Sequence, residues 1–289
     1  NARPNRDRYG WEYVIITPTD AGFVAWADSL KAWRKLQGIT TEVFTTAQTG
    51  TTAAEIESWL NTAYNTWEVP PAAFLILGDY PSSGDGRDTG ITSPTWSGYC
   101  VSDNIYADVN GDNLPDMAHG RITARDATEL GTMLTKMLTY EQQPYTDPGF
   151  YDHPLIAGGW QTDRWFILCA ETIYGHQANV LGKNPVREYA ICSGTPGTVW
   201  STNSNTSIVV NYFGPNGLGY IPATPEHLTD WGGNATRINA DFNAGAYLAI
   251  HRDHGYVPGW GEPNYTTGHL DGLTTDEFPF VYSINCLSG

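Results

Sequence analysis

The sequence predicts an α/β fold built on mostly parallel sheets. Short, continuously apolar runs alternate with longer amphipathic stretches, the links between them are short, and several apolar runs end on a polar or reactive residue. Continuous apolarity marks a strand covered on both faces, as parallel strands are. Strand and helix alternating over short links build βαβ units. At 289 residues the chain can bury a core as one large domain or two modest ones. A hydrophobic fraction of 40%, with 13% aromatic residues, excludes a globally disordered chain.

The elements follow in order. Trp11 to Thr17 reads as the first buried strand. Pro18-Thr19-Asp20 offers caps for a helix over Ala21 to Leu36, where Phe23, Trp26, Ala27, Leu30 and Trp33 recur at helical spacing and Gly38 closes the end. Thr40 to Phe44 is a second strand, Thr51 to Trp67 a second helix and Ala72 to Leu77 a third strand, which ends in Gly78-Asp79. A Gly/Ser/Thr/Pro-rich loop runs from Pro81 to Pro94. The stretch from Tyr99 to Arg121 has a shorter period and reads as a hairpin. Thr123 to Tyr140 is a helix with Leu130, Met133, Leu134, Met137 and Leu138 on its buried stripe.

Gln142 to Pro154, dense in proline and turn residues, is the best boundary in the chain, and it divides the sequence into subdomains 1–147 and 148–289. The α/β rhythm then restarts: strands at Leu155 to Gly158 and Val186 to Ile191, helices at Arg164 to Leu181, Ser204 to Phe213 and Thr236 to Asn243. Two further apolar strands follow, Ala246 to Ile250 and Phe280 to Ile284, separated by a Gly- and Trp-rich loop, Tyr256 to Leu273.

Lys+Arg 15 against Asp+Glu 31 leaves a net charge of −16. That field repels nucleic acid and anionic membrane and favours cationic ligands or bound cations, although a solvated acidic surface is the plainer reading. No run approaches the roughly 20 apolar residues of a membrane span. The chain begins at Asn1 with no signal peptide, as a mature or trimmed form would, and its acidic, Lys-poor composition fits export to the cell surface or medium. Four cysteines are too few for a disulfide scaffold; at most one bridge among Cys100, Cys169 and Cys192 is expected.

Asp108, Asn110, Asp112 and Asp116 place oxygen side chains on alternate or nearby positions of one tight loop, with the Leu114 carbonyl between the last two. Hard cations such as Ca²⁺ take six to eight such oxygens, which predicts a structural calcium site. An Asx/Gly turn without a metal uses the same residues.

The last two apolar strands run into His254-Gly255 and Asn285-Cys286. On neighbouring parallel strands, both side chains would emerge at one edge, where open α/β sheets build their sites. A nucleophilic thiol needs a nearby imidazole to take its proton. The amides of Gly255 and Cys286 could then hold an oxyanion. The competing readings are a buried, inert Cys286 and a metal site on His251 and His254 with His269 as a third ligand.

Strand–His254-Gly255–loop–strand–Asn285-Cys286 resembles the caspase-like clan of cysteine peptidases, and within it the gingipain-type family. The similarity extends over Tyr13-Val14-Ile15-Ile16-Thr17-Pro18, Phe74-Leu75-Ile76-Leu77-Gly78-Asp79, and Ser102 to Asp108 with Asp112, Pro115-Asp116 and Gly120-Arg121-Ile122. The resemblance implies a caspase-like three-layer α/β/α sandwich in two side-by-side subdomains, with calcium on the first and the active site on the second. It implies a secreted cysteine endopeptidase made as a zymogen and acting on protein or peptide substrates, with Cys286 as nucleophile, His254 as base and Gly255 as oxyanion donor. In the segment Gly158 to Asp163, Asp163 is the candidate for the acid that orients the histidine, and it could equally line the primary specificity pocket. A cationic side chain before the scissile bond would suit so negative a protein.

Members of that family continue well beyond the catalytic cysteine. The resemblance therefore implies that the C-terminal part of the second subdomain lies outside this chain, and that its own C-terminal fragment or propeptide is a partner. Two other functions remain open: a transpeptidase, in which an amine resolves the acyl-enzyme, and a non-catalytic, calcium-stabilised binding or adhesion module on a degenerate peptidase fold.

Overall fold

The first apolar run becomes β1 (Tyr13–Thr17), and the N-cap expected at Asp20 opens α1 (Ala21–Leu36), its Oδ1 accepting the amides of Gly22 and Phe23. The computed structural model describes residues 9–81 and 89–287; the expected arm before Tyr9, part of the loop after Pro81, and the two residues after Leu287 lie outside them. The chain divides into two units, Asn1–Gln143 and Pro144–Gly289.

The first unit continues with β2 (Thr41–Thr45), the single-turn α2 (Thr46–Thr49), α3 (Ala53–Thr66) and β3 (Ala73–Leu77). Then come the two-residue β4 (Thr95–Trp96) and β5 (Cys100–Val101), α4 (Asn104–Ala107), β6 (Ala118–Ile122) and α5 (Ala127–Gln142). The main sheet has the order β2-β1-β3-β6 with every pairing parallel. Successive β1 residues alternate between two cores. Val14 and Ile16 pack with Ile56 and Leu60 of α3, while Ile15 packs with Phe23 and Leu30 of α1 and Leu130 and Leu134 of α5. Helices on both faces make three layers, and each fully buried aliphatic side chain contributes roughly 1.5–3 kcal/mol.

The hairpin expected over Tyr99 to Arg121 does not form as one unit. Only β4 and β5 form an antiparallel pair, and β6 instead joins the main sheet parallel to β3. Arg121 explains the difference. Its guanidinium reaches the carboxylate of Asp103 at 2.7 Å and the carbonyls of Gly78 and Ile91, which ties β6 to the end of β3.

The second unit contains β7 (Leu155–Gln161), α6 (Phe166–Asn179), β8 (Val186–Ser193), α7 (Thr206–Phe213), α8 (Ala235–Asn243) and β9 (Leu248–Arg252). The Gly/Trp-rich loop folds into a small antiparallel sheet of β10 (Gly255–Tyr256), β11 (Gly259–Trp260) and β12 (Tyr265–Thr266), then a 3₁₀ turn and β13 (Phe280–Ile284). The main sheet has the order β13-β9-β7-β8, again all parallel. Ile156, Ile250, Ile167 and Leu168 form the core on the α6 face; Leu155, Ala157, Ala249, Ile238 and Phe242 form it on the α8 face. Among the described residues, no helix is long and apolar enough to cross a membrane.

Strand order matters for the site. From β7 the chain passes to β8 on one side and later to β9 on the other, so β7 and β9 flank the switch point where open α/β sheets form a crevice beyond their C-terminal strand ends.

Candidate active site

β9 and β13 are paired parallel with a constant offset of 32 residues, from Leu248 with Phe280 to Arg252 with Ile284. The same offset separates His254 from Cys286, so both leave the sheet at the same edge on neighbouring strands. Contact at the strand ends is close. A methyl group built on Gly255 would run into the Cys286 carbonyl oxygen and the Asn285 amide. Only glycine fits there, and its backbone lies directly against that of Cys286. Cys286 itself is exposed.

Asn285 fastens the two strand ends together. Its Nδ2 donates to His251 Nδ1 at 2.7 Å, while His251 Nε2 meets the Glu262 carbonyl at 3.1 Å. The His251 ring is buried and stacked on Trp260, with centroids 4.3 Å apart. Burial lowers its pKa to about 4 against an opposing contribution from the Glu262 bond, so the ring is neutral. With both nitrogens engaged, His251 is not a metal ligand beside His254. His269 is used locally too, its Nδ1 accepting the Thr266 amide.

His254 is held differently. Its Nε2 lies 2.7 Å from Gln161 Oε1, and its ring meets Phe166 edge-on at 5.2 Å. Gln161 is at the end of β7, across the switch point. The amide orientation follows from its other partner: Gln161 Nε2 is 2.9 Å from Asp163 Oδ1, and a carboxylate can only accept. The carbonyl oxygen therefore faces His254, Nε2 of the imidazole carries the proton, and the ring's lone pair is on Nδ1. Asp163, the residue expected to orient the histidine, does not touch it. Its carboxylate is largely exposed, 4.0 Å from Arg164, and acts on His254 only through Gln161.

Gln161 lies in the segment expected to supply the orienting residue, but it is an amide where the sequence points to an acid. Neither Asp253 nor Cys192 stands out in the sequence. The Asp253 carboxylate is buried, occupies the space above Gly159, and accepts the Glu262 amide through Oδ2 at 2.7 Å. Burial raises its pKa. Cys192 is the unpaired residue of a β-bulge, since Trp160 pairs with Ile191 and Gln161 with Ser193. All four cysteines are free, so the single bridge considered among Cys100, Cys169 and Cys192 does not form.

In the first unit, the loop oxygens point inward onto its own backbone. Asp108 accepts the amides of Gly111, Asp112 and Asn113, and Asp116 accepts those of Val109 and Asn110. Asn110 and Asp112 accept the amides of Asp112 and Leu114. The oxygen-only donor set suits a hard cation, but Asp108, Asp112 and Asp116 do not converge as a metal-ligand cluster.

A parallel α/β sheet whose adjacent strands end in His-Gly and Asn-Cys, with the histidine anchored from the next strand, defines the cysteine-peptidase class of caspase-like proteins. The match can be made narrower. Residues 7–289 match the sequence profile of peptidase family C25, and the chain belongs to that family. It is 23% identical over 287 residues to Lys-gingipain of Porphyromonas gingivalis, a match covering 97% of this chain and 14% of that protein. Among solved structures, the Arg-specific cysteine proteinase gingipain R aligns with a TM-score of 0.69 at 18% identity, over 97% of this chain and 55% of that one. A complex of gingipain pro- and mature domains from Porphyromonas gingivalis aligns at 0.64 and 19%, over 95% and 55%. The chain thus spans about half the length of these structures and a seventh of the curated relative.

Proposed function

We propose that this chain carries the catalytic residues of a secreted cysteine endopeptidase. The observation that supports the reading is the 32-residue register of β9 and β13, which brings the segments just beyond them, His254-Gly255 and Asn285-Cys286, to one edge of the sheet, with Gln161 fixing the imidazole tautomer. His254 Nδ1 takes the Cys286 thiol proton, and the thiolate adds to a peptide carbonyl. The amides of Gly255 and Cys286 hold the oxyanion. On collapse the C–N bond breaks, His254 delivers its proton to the departing amine, and a thioester remains on Cys286. Water, deprotonated by His254, then releases the acid and regenerates the thiol.

Asp163 is exposed beside this crevice and negative, which favours a basic side chain before the scissile bond; the names Lys-gingipain and Arg-specific gingipain R point the same way for relatives. β13 is the edge strand of its sheet, and Phe280, Val281, Tyr282 and Ile284 are each about half exposed. An apolar edge of that kind suits further polypeptide, a C-terminal fragment or propeptide, packing alongside. Ca²⁺ in the Asp108–Asp116 loop, held by Asp108, Asn110, Asp112, Asp116 and the Leu114 carbonyl once the carboxylates turn from the loop's own amides, would stiffen the first unit without entering the chemistry.

The test is labelling with iodoacetamide and a Cys286→Ala variant, read on Lys- and Arg-containing peptides. Loss of labelling at Cys286 with loss of turnover supports the reading; turnover untouched by either sinks it. Ligated product on adding a nucleophilic amine would identify a transpeptidase instead.

A further inference from the structure

A second group of reactive side chains lies behind the site. Cys192 on β8, Asp253 and His254 bring a thiol sulfur, a carboxylate oxygen and an imidazole nitrogen within 4.8 Å of one another. Three strands build the group. The bulge frees Cys192 from pairing at the end of β8, Gly159 on β7 leaves the space that the Asp253 carboxylate fills, and Asp253-His254 follow β9. Gly261 closes the other side, since a methyl group there would press on Asp253 Oδ2.

Asp253 supplies an independent sign of a missing partner. It is 1% exposed; Oδ2 accepts the Glu262 amide, but Oδ1 is buried with no well-formed hydrogen bond, the Cys192 thiol and the His254 amide being the nearby donors that act on the carboxylate. A buried carboxylate oxygen without a well-formed hydrogen bond is costly, and a bound cation is one of the few ways to satisfy it.

We infer that Cys192, Asp253 and His254 form a zinc site that holds the proposed peptidase inactive while occupied. Thiolate, imidazole and carboxylate are the ligand types zinc takes, and one thiolate with one carboxylate neutralises a divalent ion. Bonds of about 2.0–2.3 Å put tetrahedral ligand atoms roughly 3.3–3.8 Å apart, so the group closes onto a metal by small side-chain movements and leaves a fourth position for water. Binding releases the Cys192 thiol proton to solvent.

Occupancy and catalysis exclude each other because neutral imidazole has one lone pair. A metal on Nδ1 takes the pair that the Cys286 proton needs. A metal on Nε2 breaks the Gln161 bond and moves the ring proton to Nδ1. The inhibitory half of this inference rests on the peptidase reading; the metal site does not.

The experiment uses the 289-residue chain with calcium present throughout, and Co²⁺ and Zn²⁺ as probes. Wild type and Cys286→Ala should both develop a thiolate-to-cobalt absorption band in the near ultraviolet, and Cys192→Ser should not. Calorimetric zinc affinity should fall at least ~10-fold in Cys192→Ser and in Asp253→Asn, with thermal melts checking that each variant is folded. Without added zinc, Cys192→Ser should match wild-type turnover, and its half-inhibiting zinc concentration should rise at least ~10-fold. No cobalt band in wild type, or a band that survives Cys192→Ser, overturns the site. A band with zinc-insensitive turnover overturns the inhibition alone. If the chain cleaves no peptide, the peptidase reading fails, and the cobalt band still decides the metal site.

Discussion

His254 Nε2 meets Gln161 Oε1 at 2.7 Å, so an amide carried on the neighbouring strand β7 sets the protonation pattern of the imidazole at the end of β9. The group bonded to Nε2 is thus an amide rather than a carboxylate. The carboxylate of Asp163 stands one hydrogen bond further back and fixes which end of the amide faces His254.

Gln161→Ala should therefore lower kcat by about 10²-fold with little change in KM, because the ring loses its tautomer and its aim rather than substrate contacts. Asp163→Asn should cost less in kcat, and should raise KM for peptides with Lys or Arg before the scissile bond. Steady-state kinetics of the two variants separate the roles; equal kcat losses would put Asp163 in direct charge of the imidazole.

Gly255→Ala is expected to reduce kcat/KM by the order of 10²-fold, the scale seen when one oxyanion donor is lost. The added methyl has the Cys286 carbonyl and Asn285 in its path, so the strand ends must part. A Tm close to wild type with full activity would remove Gly255 from the site.

His251 predicts an acid limb of stability. Its folded pKa, about 4, lies below the ordinary 6.5, because burial disfavours the charged ring. The unfolded chain binds the proton first, so the contribution is complete above pH 6.5 and is lost as pH falls towards 4, amounting to about 3 kcal/mol at most. Ring resonances of His251 followed by NMR should show a midpoint near 4; a midpoint near 6.5 would mean that the ring is solvated and the Asn285 link broken.

Removal of calcium should lower the Tm of the first unit, and added Ca²⁺ should restore it. At a concentration a hundred times the dissociation constant the ion contributes about 2.7 kcal/mol. Asp108→Ala should abolish the difference between melts with and without EDTA. Identical wild-type melts would leave the loop as a turn held by its own amides.

Much of the fold is legible in the sequence because its signals are local. The span of α1 follows from the Asp20 cap and the spacing of Phe23, Ala27 and Leu30; β1, β3 and β13 follow from unbroken apolar runs. His254 and Cys286 stand out for the same reason, as reactive residues closing apolar runs, although the run before Cys286 forms an edge strand whose side chains are exposed. Tyr99 to Arg121 misleads because short-period, turn-rich sequence does not say which strand a segment will join. There the choice was made by Arg121 bonding to Asp103 and to carbonyls far away in sequence.

The chain alone thus determines which segments are strands and helices and which side chains could be nucleophile and base, since hydrophobic periodicity and capping act over a few residues. Only the tertiary structure decides that β7 lies between β9 and β8, and so that Gln161, not Asp163, holds His254 and that Cys192 comes to rest beside Asp253. Strand order is set by the packing of distant segments, and no local pattern encodes it.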